Sequence, residues 1–158
     1  MAYVGQFQTG AILYASEVNS LFAACVMTTT TVQAVATATA TTVSFANADE
    51  VRDPLGWHSD ASFPPRIYPT ITGLYLVDGS IQFAANSGTG AYLTLTKNNV
   101  EVAKSAGDLS GAGANASLSL SHMMEIANGD HIYLACYQNS GGSVNITLKT
   151  FSAVLLAV

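Results

Sequence analysis

The chain has 158 residues, 49% hydrophobic and only 9% charged, with five Lys+Arg against ten Asp+Glu for a net charge of -5. That length gives one ordinary domain with its own core, and the apolar share excludes a disordered chain. Five cations are too few for a phosphate-neutralising nucleic-acid surface, and the longest apolar run, Ala153–Val158, is far short of a membrane span.

The first elements divide the chain at about residue 24. Met1–Gly5 carries no basic residue, which predicts no secretory leader. Val18, Leu21 and Phe22 recur at helical spacing, so the pattern predicts a short helix over Ala15–Ala24 with Glu17 near its amino end. A helix this short needs a packing partner. Residues 1–24 are therefore read as an anchoring segment, and residues 25–158 as one domain.

After Cys25 the signals are strand and turn. Val26–Val43 is rich in Thr and Val, both β-formers. Asn47–Asp60 is polar and turn-forming, and Pro54, Gly56, Pro64 and Pro65 exclude a central strand there. Gly73–Ala84 is a long strand, bulged at Gly79. Ala91–Thr96 alternates into Lys97-Asn98-Asn99, a hairpin turn, and Val100–Lys104 returns. Ser105–Ala116, rich in Gly and Ala, reads as a loop. Ser117–Ser121 alternates cleanly, Asn128-Gly129-Asp130 turns, and His131–Tyr137 is a strand. Ser140-Gly141-Gly142 turns into Val144–Lys149, and Phe151–Leu156 closes the chain. Short strands with Gly-rich turns predict an all-β jelly-roll sandwich.

The order of these motifs resembles a known fold. Thr72–Val77 followed by Gly79–Phe83 resembles the Gly-x-Tyr strand of the complement-type globular head, a tumour-necrosis-factor-like trimeric jelly roll. Lys97-Asn98-Asn99 is similar to its lysine-asparagine-glycine hairpin, with Asn99 in place of the glycine. Ser117–Leu120, Asn128–Leu134 and Phe151–Leu156 resemble its later strands, with Ala153 replacing a glycine. Phe7–Asn19 is similar to a segment of tailed-bacteriophage structural proteins, with Tyr14 in place of a threonine. These resemblances imply a homotrimeric virion protein, assembled in the host cytoplasm and exposed on the particle.

Several residues are candidates for function. Phe7, Leu13, Val18, Leu21 and Phe22 are the expected capsid anchor. The resemblance implies that Tyr75, Tyr92, Tyr133 and Tyr137 include trimer-interface residues. Trp57, His58 and Tyr68 lie in or beside the long loop, where aromatic rings can stack on a sugar. The competing and favoured expectation makes Trp57 a hydrophobic plug under its loop or at a subunit contact. His58 and Asp60 are spaced for a metal, but a lone His beside an Asp is more often hydrogen-bonded, so no metal is expected. His122 and His131 read as structural. Cys25 and Cys136 read as buried small hydrophobes.

No nucleophile elbow or phosphate loop is present in the sequence, which predicts no enzyme activity and no cofactor. A mean hydropathy of +0.33 predicts apolar area buried between subunits. The expected function is a trimeric capsid decoration protein that docks on the major capsid protein. The alternative is a tail-fibre or tail-tip knob that recognises a host glycan. Neither nucleic acid nor membrane is an expected partner.

Overall fold

A computed structural model describes residues 23–59, 61, 65–84, 90–108 and 115–158. They form eleven strands in two facing antiparallel sheets, the all-β jelly-roll sandwich expected from the turn spacing. The first sheet runs β4 (Glu50–Arg52), β1 (Ala24–Thr29), β11 (Val144–Ala157), β6 (Gly73–Phe83) and β9 (Ala116–Ile126), with β2 (Gln33–Val35) also on β11. The second runs β3 (Thr41–Thr42), β10 (Ile132–Gln138), β7 (Ala91–Lys97) and β8 (Val100–Gly107), with β5 (Arg66–Ile67) also on β10. Among the described residues the sole helical turn is a 3-10 turn at Asn47–Asp49. No helix there is long and apolar enough to cross a membrane.

The core lies between the sheets. Strands β6 and β10 alternate strictly, so Tyr75, Val77, Ile81 and Phe83 face Ile132, Leu134 and Cys136 across it. Phe151 and Ala153 join them from β11, and Phe45 stacks on Phe151 at 6.2 Å. Cys25 and Cys136 are both free and buried.

Two buried polar side chains, Gln138 and Lys149, are placed with partners. Gln138 is 0% exposed; its amide donates to the carbonyls of Val35 (3.0 Å) and Gly142 (2.7 Å), and its oxygen accepts from the Ser140 N–H at 2.8 Å. One side chain thus holds the Asn139–Ser143 turn against β2. Lys149 also points inward. Its Nζ donates to the Ser44 carbonyl at 2.8 Å and lies 5.6 Å from the Phe45 ring centroid. Burial lowers its pKa, because desolvation penalises the ammonium.

Several details differ from expectation: Ala116 opens β9, which runs on past Ser121 to Ile126, and Val144–Lys149 and Phe151–Leu156 are one strand, β11. Gly79 is not bulged: it pairs in regular register with both Leu120 and Phe151. The glycine is needed for space instead, since a Cβ there would lie 2.7 Å from Leu134 Cδ2. Ser105–Gly107 are not loop but the end of β8, paired with Leu93, Tyr92 and Ala91. Ala24, the last residue of the expected helix, opens β1 opposite Val154. Ala23 before it is buried and in no helix, so the expected helix does not reach its last two residues; its residues 15–22 lie outside the described residues, as do Phe7, Leu13, Val18, Leu21 and Phe22. The Asn98-Asn99 turn is as expected: both take positive φ (50° and 66°), which a two-residue type I′ hairpin requires.

Candidate functional site

The long loop is closed by one carboxylate. Asp53 accepts the backbone N–H groups of Trp57 and His58, each at 2.8 Å, on its two oxygens. Gly56, at φ 64°, makes the turn between them. This drives the Trp57 ring into the core, where it is 1% exposed and packs edge-on to Tyr75 at 5.7 Å. Its indole N–H donates to Thr70 Oγ1 at 3.0 Å. Trp57 is the plug of its own loop, with no face free for a sugar. His58 is 5% exposed, and its Nδ1 lies 2.7 Å from Glu50 Oε1. Among the described residues no three His, Cys, Asp or Glu gather as a metal set.

The four tyrosines divide. Tyr75 leaves the expected interface, because its ring is fully buried inside the protomer and its hydroxyl donates to the Ile71 carbonyl at 2.6 Å. Burial raises its pKa to about 12. Tyr92, Tyr133 and Tyr137 stand half-buried on the outward face of the second sheet. Tyr92 and Tyr137 stack in parallel at 4.7 Å, with Lys104 Nζ 3.8 Å from the Tyr92 centroid. Tyr68 joins this face too, 5.6 Å from His131, which lies 6.2 Å from Tyr133. Burial, then the nearby Arg66 charge, lowers the His131 pKa.

A second face was not expected from the sequence. On the outward side of the first sheet the register aligns Val154, Leu76 and Met123 in one row across β11, β6 and β9. Met123 is 58% exposed, and Leu156 and Val158 beside this row are 51% and 61% exposed. The next row is Val26, Ser152, Asp78 and Ser121. Beyond it lies a row of short hydroxyls, Thr28, Thr150, Ser80 and Ser119. Such a face is smooth, uncharged except at Asp78 along β1, β11 and β6, and partly apolar. The sequence carried a signal for it. Leu74-Tyr75-Leu76-Val77 and Ala153-Val154-Leu155-Leu156 do not alternate, and an unbroken apolar run marks a strand covered on both faces.

Solved structures that superpose on the chain decide the fold type. The chain superposes on an Eiger tumour necrosis factor from S. frugiperda with TM-score 0.59 and 18% identity, covering 86% of this chain and 93% of that one. The fold is the tumour-necrosis-factor and complement-head jelly roll. The globular domain of zebrafish complement 1qA matches with TM-score 0.60 and 11% identity, covering 85% and 97%. Murine APRIL matches with TM-score 0.60 and 14% identity, covering 84% and 99%. No family model and no curated protein sequence matches the chain. At these identities the likeness is one of fold.

Proposed function

We propose that the protein is a non-enzymatic structural component of a tailed-phage particle, a homotrimer that decorates and cements the capsid. The observation that carries the reading is the outward face of the first sheet. A row of Val154, Leu76 and Met123 on a short-side-chained surface, charged only at Asp78 along β1, β11 and β6, suits a second copy better than water. The jelly-roll type supports a trimer, since the resembled family assembles as one. A three-fold assembly also matches the local three-fold positions of an icosahedral shell.

The similarity of Phe7–Asn19 to phage structural segments supports docking on the major capsid protein through residues 1–24. Binding at many positions would stabilise the shell by mass action. The experiment is the copy number in purified virions, by gel densitometry against the major capsid protein. Hundreds of copies support decoration; a handful refute it.

A tail-tip receptor knob is the second reading, and one observation favours it. The outward face of the second sheet carries half-buried Tyr68, Tyr92, Tyr133 and Tyr137, not Trp57. Glycan-array binding lost on Tyr137→Ala and kept on Trp57→Phe would support the knob.

A further inference from the structure

The row that crosses the centre of the first sheet carries two opposite charges that cannot meet within one chain. Arg52 on edge strand β4 pairs with Val26, Val26 with Ser152, Ser152 with Asp78, and Asp78 with Ser121. Directly paired residues share a sheet face, so Arg52 and Asp78 both point outward. Three strand spacings separate them, roughly 14 Å.

Asp78 is half-buried, yet it makes no hydrogen bond or ion pair with any described residue. Its flanking hydroxyls, Ser152 and Ser121, are not bonded to it. It is the one charge facing outward on β1, β11 and β6. If an uncharged partner covered this face, the carboxylate would be stranded at a steep desolvation penalty.

We infer that the occupant of this face is a second copy of the chain, oriented so that its Arg52 meets Asp78. This rests on the self-association reading above and specifies its contact. Charge complementarity selects the occupant: the face carries a cation for Asp78 at its own edge and on the same row, and the five N–H donors of the Arg52 guanidinium leave some for a neighbour beside the interaction it already makes within its own chain. A heterologous contact then closes into a ring, each copy giving Arg52 to one neighbour and Asp78 to the other. Guanidinium and carboxylate suit a two-pronged pair.

The test is the assembly mass of the full-length protein by analytical ultracentrifugation, across a dilution series. Asp78→Arg and Arg52→Asp should each weaken assembly at least about tenfold, because each places like charges together. The double variant, with the charges exchanged, should regain most of the wild-type affinity. Asp78→Asn is the milder variant, and Glu101→Arg, exposed on β8 of the other sheet, is the control that keeps assembly. Circular dichroism and Trp57 fluorescence report that each variant is folded. A wild-type protein that stays monomeric overturns the self-association reading itself. A wild-type trimer that Asp78→Arg leaves intact, or single variants that the double exchange does not rescue, overturn the Arg52–Asp78 pair alone.

Discussion

Gly79 on β6 lies directly under Leu134 on β10, so close that a Cβ at position 79 would sit 2.7 Å and 2.8 Å from the two Leu134 methyls. The two sheets touch there through a glycine on one side and a leucine on the other. Gly79→Val should destabilise the fold by about 1–3 kcal/mol through overpacking. Leu134→Ala alone should cost about 2–5 kcal/mol through the cavity it leaves. The double variant should cost clearly less than the sum, since each change relieves the other. Urea unfolding of the four proteins measures this; strict additivity would refute the contact.

Asn98 ties two turns together. Its amide donates to Asp130 Oδ1 at 2.7 Å, and its side-chain oxygen accepts the His131 N–H at 3.0 Å. It also holds φ 50°, where Asn is tolerated better than most residues. Asn98→Ala loses both bonds and adds strain, for about 2 kcal/mol. Asn98→Gly removes the bonds but not the turn, so it should cost less. Denaturation midpoints in that order are the expected result.

Acid should weaken the same corner. The Lys97 ammonium, 2.8 Å from Asp130 Oδ2, then Asn98 and the Ala127 N–H, lower the Asp130 carboxyl from 3.8 to about 2. A carboxyl depressed in the folded state stabilises the protein above its unfolded pKa. That contribution is lost as pH falls from about 4 towards 2. Asp130→Asn should therefore lose stability near neutrality and show a flatter decline over this range. Parallel curves for the two proteins would exclude Asp130 as a source of the acid response.

Trp57 is the single tryptophan and is buried against Tyr75. Its native emission should be blue-shifted and move red on unfolding. Trp57→Ala should cost about 3–5 kcal/mol, and Trp57→Phe less, with the Thr70 bond lost. A native spectrum matching free tryptophan would contradict the plug.

Both thiols should be silent in the native protein. Burial pushes the Cys136 thiol up to about 12 and raises Cys25 as well, with Asp53 and Glu50 adding to the rise at Cys25. A chromogenic disulfide reagent at pH 8 should label neither cysteine until denaturant is added. Rapid labelling of Cys136 in the folded state would show that the sandwich opens at β3.

Much of this was legible in the residues. The two-residue Asn98-Asn99 turn, the strand from Gly73, and the turns at Asn128–Asp130 and Ser140–Gly142 follow from local chemistry: φ preference and period-two alternation act within a few residues. The runs at Leu74–Val77 and Ala153–Leu156 do not alternate, which is the mark in the sequence of strands with apolar side chains on both faces. What the local pattern could not supply is which strand lies beside which. Pairing β11 with β6 and β1 joins segments about seventy to 130 residues apart in the chain, and only that register aligns Arg52, Val26, Ser152 and Asp78 in one row. The same lack of long-range information left Tyr75 grouped with Tyr92, Tyr133 and Tyr137, because all four alternate with aliphatic residues. Alternation determines that a side chain has a face. The packing of two sheets decides whether that face meets the core, the solvent or another chain.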